Sequence, residues 1–141
     1  MKDILFRDLL ESVQEGAGIM TEHDTQNAII ELITRRGGIA IRINSGAIPI
    51  EGVSKPYYFR GAKKGTSDII ALYKGRFLAI EVKHGKNTAS REQADFISEV
   101  RDKGGVGLCV WSIDTVISLL DALDDGTAIR AICDYLGRCE G

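Results

Sequence analysis

Two apolar runs flank a Lys74-Gly75 dipeptide, and no other feature constrains the fold of this chain as tightly. Residues 65–73 read Gly-Thr-Ser-Asp-Ile-Ile-Ala-Leu-Tyr, and residues 76–83 read Arg-Phe-Leu-Ala-Ile-Glu-Val-Lys. A two-residue, Gly-containing turn between runs of β-branched and aromatic residues predicts a β-hairpin. If Tyr73 pairs with Arg76, Asp68 lies directly opposite Glu81, where side chains on one face have Cβ atoms about 4.5–5.5 Å apart. Lys83, two residues beyond Glu81, emerges on the same face. The register carries this inference. Lys-Gly is a poorer type I′ turn than Asn-Gly, and a slip of one residue would part the two carboxylates.

Two carboxylates held that close repel one another unless a proton or a cation lies between them. A hard divalent cation with oxygen ligands resolves the repulsion. Glu-x-Lys by itself is also a common pattern of a solvated strand face. Here Ile69, Ile70, Ala71, Leu72, Leu78, Ala79, Ile80 and Val82 surround the charges. Such runs predict strands buried on both faces, where a charge is costly unless paired or metal-bound.

At 141 residues the chain is expected to form one domain, residues 1–141, long enough for a sizeable core. The hydrophobic fraction of 44% and charged fraction of 27% are those of an ordinary globular protein. No apolar stretch is long enough to span a membrane, and the N-terminus lacks a signal-peptide pattern, so a cytoplasmic location is expected. Cys109, Cys133 and Cys139 are odd in number and lack metal-ligand spacing, which predicts reduced thiols. A net charge of −2 neither announces nor excludes a nucleic-acid partner, since phosphate contacts need a local basic patch rather than a basic total.

The order of elements follows from caps and periodicity. Residues 4–14 read as a short amphipathic helix. Thr21 and Asp24 form a capping box that opens a second helix, with Ala28, Ile29, Leu32 and Ile33 at helical spacing and Gly37-Gly38 as its stop. Residues 39–43 read as a strand and residues 44–67 as a long loop, a kind of segment that is usually functional or mobile. After the hairpin, Ser90 and Gln93 form a second capping box opening a helix to about Lys103. Residues 106–111 are a strand, and residues 114–123 and 127–136 are helices. The predicted architecture is α/β, a mixed central sheet with helices on its faces, with the 81–111 stretch making a right-handed β-α-β crossover.

Several residues carry two readings each. Glu22 and Gln26 share a helical face with Ile29 and Ile33, so Glu22 either compensates the helix dipole or supplies a third oxygen to the carboxylate pair. Gln93 lies at helical spacing with Ile97 and Val100 and points inward, although its capping role accounts for it fully. Asn44 is a turn residue or a ligand contact at the end of a strand. Lys55, Arg60, Lys63 and Lys64 are interleaved with Tyr57, Tyr58 and Phe59. That mixture suits phosphates and unstacked bases, or forms a solvated charge run. Lys86 adds positive charge beyond Lys83 and His84. The two histidines are too scattered for a His-based site.

Taken in order, these residues resemble the VRR-NUC domain of the PD-(D/E)xK nuclease superfamily. The family pattern is a helix with Glu-x-x-x-Gln, an Asn after the first strand, Gly-x-Pro-Asp, Glu-x-Lys, and Ser-x-x-Gln opening a helix. Here these stand as Glu22 with Gln26, Asn44, Gly65-Thr66-Ser67-Asp68, Glu81-Val82-Lys83, and Ser90 with Gln93. The resemblance covers about residues 21–123, leaving 1–20 and 124–141 as accessory helices. Ser67 stands where the family usually has Pro, which loosens the turn before Asp68 but leaves the carboxylate in place.

The resemblance implies a restriction-endonuclease-like αβββαβ core and a metal-dependent endodeoxyribonuclease of the stand-alone phage or bacterial type. Its expected substrate is branched DNA such as four-way (Holliday) junctions, and its expected state a homodimer. Asp68, Glu81, the Val82 carbonyl and Glu22 would hold Mg²⁺ or Mn²⁺. Lys83 would orient the attacking water, and Gln93 would position Lys83 or the phosphate. Asn44, Lys55, Arg60, Lys63, Lys64 and Lys86 would contact DNA. The alternatives are a nuclease acting on flap, duplex or end substrates, and a non-catalytic nucleic-acid-binding module.

Overall fold

The structure is a computed structural model that describes residues 20–43, 47–49, 52, 58–60, 62–127 and 132. The expected helix over 4–14 lies outside the described residues, as does most of that over 127–136. From the latter, Ile132 is helical and buried in the core.

The chain runs α1 (Glu22–Arg35), β1 (Ile39–Arg42), β2 (Ala47–Pro49), β3 (Tyr58–Arg60), β4 (Ile69–Tyr73), β5 (Arg76–Val82), α2 (Arg91–Asp102), β6 (Val106–Val110) and α3 (Ile113–Asp124). Four strands form a mixed sheet in the order β1-β4-β5-β6. The β1–β4 and β4–β5 pairs are antiparallel, and β5–β6 is parallel. β2 and β3 form a separate antiparallel pair. The region read as a structureless loop over 44–67 therefore contains a small ribbon, whose strands of three residues are too short to leave a periodic signal.

Local chemistry sets the ends of the elements. Both capping boxes form. In α1 the Thr21 hydroxyl accepts from Asp24 N–H, and the Asp24 carboxylate accepts from Thr21 N–H, each at 3.1 Å. The Lys74-Gly75 turn has φ of 48° and 78°, the left-handed pair that a type I′ hairpin requires, and Gly75 meets it without strain. Tyr73 pairs with Arg76 as the sequence predicts.

The sheet has two unlike faces. On one, alternate residues of β4, β5 and β6 (Ile69, Ala71, Leu78, Ile80, Val82, Val106, Leu108) pack with Ile29, Leu32 and Ile33 of α1 and Val116, Leu119 and Leu120 of α3. On the other, Ile97 and Ala94 of α2 cover Cys109 and Ala89. α2 contacts β5 and β6 and leaves the opposite half of that face open. The expectation of burial on both faces therefore fails for part of the hairpin. Leu72 and Phe77 are 49% and 44% exposed, beside exposed Ile39 and Ile41 on the edge strand. Apolar runs report that a strand is hydrophobic on both sides, but not whether a helix is there to cover each side. No helix among the described residues is long and apolar enough to cross a membrane.

Candidate active site

Asp68 sits one residue before β4 and Glu81 one residue before the end of β5. The ladder register that pairs Ile69 with Ile80 extends to set them opposite one another. β1 reinforces the position, since Ile43 N–H donates to the Asp68 carbonyl at 2.8 Å. Glu81 Oε2 accepts the Asp68 N–H at 3.2 Å, and Asp68 Oδ2 accepts the Val82 N–H at 2.9 Å. Each carboxylate is thus tied to the backbone of the other strand.

Both acids lie on the α2 face of the sheet, and Glu81 is only 1% exposed. Burial, and next the Asp68 carboxylate, push the Glu81 carboxyl up to about 7, while the Lys83 ammonium pulls the other way. Lys83 Nζ lies 3.4 Å from Glu81 Oε1.

Gln93, in the first turn of α2, joins these groups. Its Oε1 accepts from Ser90 N–H at 2.8 Å and from Lys83 Nζ at 2.9 Å. With the carbonyl oxygen committed to two donors, the amide nitrogen must face the carboxylate. It donates to Glu81 Oε1 at 2.8 Å. Both readings of Gln93 hold together, because the residue that completes the helix cap also holds the amine and the acid in place.

The approach to Asp68 is set by docking of the 62–67 segment on α2. Gly65 has φ 89°, and a Cβ there would come within 2.5 Å of the Glu92 carbonyl oxygen, so only glycine allows both the turn and the close approach. Lys64 pairs with Glu92 at 3.3 Å and Lys63 with Glu99 at 3.7 Å, all at the surface. Ser67 is fully buried, and its hydroxyl has no hydrogen-bond partner among the described residues.

The structure does not bring every expected residue to the site. Glu22 opens α1, half-buried, and no group of three acidic, His or Cys side chains that could hold a metal occurs among the described residues. α1 packs its Ile29, Leu32 and Ile33 on the face opposite to Asp68 and Glu81. Asn44 and Lys55 lie outside the described residues, as does the side chain of Arg60, which ends β3. Lys86 is exposed in the turn after β5. Cys109 is disulfide-bonded, correcting the expectation of reduced thiols; Cys133 and Cys139 lie outside the described residues. Spacing along a chain does not show which cysteines meet in space.

One neighbour of the site was missed in the sequence. Lys83 N–H donates to the Val110 carbonyl at 2.9 Å, which carries the parallel register one step beyond Val82–Val110 and sets Lys83 beside Trp111. The β-α-β reading of residues 81–111 contained that signal, since it made the two strands parallel neighbours. Comparison of the chain with protein-family models finds no matching family, and comparison with curated proteins finds no match.

Proposed function

We propose that this protein is a metal-dependent deoxyribonuclease with a restriction-endonuclease-like core, of the PD-(D/E)xK type and closest in pattern to VRR-NUC domains. One observation carries the reading: Asp68 and Glu81 are apposed across a hairpin, with the Lys83 amine held beside them by Gln93. The donor chemistry fits a hard divalent cation, because a second carboxylate and burial make the ionised Glu81 costly until positive charge arrives. Asp68, Glu81 and the Val82 carbonyl are the residues we assign to Mg²⁺ or Mn²⁺. Such an ion supplies a water of lowered pKa and neutralises charge on the phosphate in the transition state.

The chain's own residues do the rest. The Lys83 ammonium, a compact point charge, orients the attacking water and the scissile phosphate. Gln93 holds that ammonium on the acid pair. Lys63, Lys64 and Lys86 attract the DNA backbone. A four-way junction has two symmetric strands to cut, which suits a homodimer. The exposed row of Ile39, Ile41, Leu72 and Phe77, on the same face of the sheet as the acids, is the surface we assign to the second copy.

The test is cleavage of duplex, flap, splayed-arm and four-way-junction DNA with Mg²⁺, Mn²⁺ or chelator. Metal-dependent paired cuts across the junction support the resolving reading. Cutting of flaps or ends alone moves the substrate. Binding without any cutting identifies a non-catalytic module.

A further inference from the structure

The sole tryptophan of the chain, Trp111, is the backbone neighbour of Lys83 across the β5–β6 ladder, and it is not buried. Parallel pairing of β5 with β6 matches Glu81 with Cys109 and Val82 with Val110, and the Lys83 N–H to Val110 carbonyl bond continues it to Lys83 and Trp111. Neighbouring strands lie about 4.8 Å apart, so Trp111 is the lysine's neighbour across the ladder. Val110, which ends β6, is committed to the core face, and Trp111 opens the bend that follows it.

Tryptophan usually gains by burial, yet 42% of this residue's surface is open. Its indole N–H donates to the Asn87 carbonyl at 3.1 Å, which pins one edge of the ring to the turn after β5. His84 and Lys86 are exposed in that same turn. An exposed aromatic ring hydrogen-bonded to the turn that carries Lys86, and next across the ladder to a residue assigned to the scissile phosphate, suits stacking of an unpaired base while its backbone phosphate is held.

We propose that Trp111 is a stacking platform for an unpaired nucleobase beside the bond that is cut. The substrate class is therefore DNA with a single-stranded nucleotide at the site, such as a flap or an opened branch point. A base within a continuous duplex is covered on both faces by its neighbours and cannot occupy the platform. The proposal rests on the nuclease reading and adds a specificity-determining residue to it.

Because Trp111 is the only tryptophan, its emission reports the platform alone. The experiment titrates the Asp68→Asn protein, which should bind without cutting, with a fluorescein-labelled flap oligonucleotide and a blunt duplex. Binding is followed by anisotropy and, with unlabelled DNA, by indole fluorescence. The flap should quench the indole over the same concentrations that raise anisotropy. In that background Trp111→Ala should weaken flap binding about 5- to 150-fold, the range one base–aromatic stack commands, with little change for the duplex. Trp111→Phe keeps a ring and should retain most of the affinity. Flap binding with unmoved indole emission, or equal affinity in the Trp111→Ala protein, overturns the platform and leaves the nuclease reading standing. Absence of binding to any DNA overturns both.

Discussion

The Asp68 and Glu81 carboxylates each accept a backbone N–H from the opposite side of the hairpin. Glu81 Oε2 takes the Asp68 N–H, and Asp68 Oδ2 takes the N–H of Val82, next to Glu81. These bonds fix both side chains without cancelling either charge, so the pair remains a place where positive charge is stabilising. Asp68→Asn and Glu81→Gln should each abolish metal-dependent cleavage while leaving the fold and DNA binding largely intact. A gel-based single-turnover assay checks this, and continued Mg²⁺-dependent cutting by either variant would remove the pair from the chemistry.

The raised Glu81 pKa makes a prediction with a definite sign. Burial and Asp68 move it from an ordinary 4.5 to about 7, so the folded protein holds this proton more tightly than the unfolded chain. The stability that the proton confers is complete below the unfolded value and is lost as pH rises through about 7. Without metal, the protein should melt at a lower temperature at pH 8 than at pH 5.5, and Glu81→Gln should reduce that difference. Metal binding must displace the proton, so Mg²⁺ affinity should climb about tenfold per pH unit below the pKa and level off above it. Calorimetry in buffers of different ionisation enthalpy would detect the released proton; equal heats at pH 6 would contradict it.

Gln93 and Ser90 separate a structural role from a positioning role. Gln93→Ala removes the bridge between Glu81 and Lys83 and should lower activity or metal affinity about 10- to 100-fold. Ser90→Ala removes only the hydroxyl that accepts Gln93 N–H and leaves the backbone N–H that orients the amide. It should cost about 1 kcal/mol of stability, seen as a lower melting temperature, with most of the cleavage preserved. Equal losses of activity in the two variants would reduce Gln93 to a helix cap.

Ser67 offers a test of stability alone. Its buried hydroxyl has no hydrogen-bond partner among the described residues, and a group without one carries a desolvation cost of about 1–3 kcal/mol. Ser67→Ala should therefore raise stability by up to about 1 kcal/mol, part of the gain being offset by lost packing. Urea denaturation measures it, and clear destabilisation would mean that the hydroxyl has a partner in solution.

The open half of the sheet face predicts the state of assembly. Leu72→Asp with Phe77→Ser changes exposed side chains and should leave the monomer folded. If a second copy covers this row, sedimentation should show a dimer for the native chain and a monomer for the variant. A native chain that sediments as a monomer would leave the row to another partner.

The hairpin, its register, both helix caps and the Asp68–Glu81–Lys83 constellation were legible from sequence, because each depends on residues within about fifteen positions of one another and on turn chemistry. What lay beyond reach depended on where distant segments pack. Glu22 shares a helical face with core residues, yet no group of three metal-ligating side chains forms among the described residues, and only the placement of α1 decides what Glu22 can reach. Leu72 reads as a core residue, and only the limited reach of α2 leaves it open beside Phe77. Trp111 gains its meaning from Lys83, 28 positions away, through the parallel register of β5 and β6. Hydrogen bonding along a short hairpin is local and therefore written in adjacent residues. The covering of a sheet face is a property of the whole chain, and tertiary packing alone decided it.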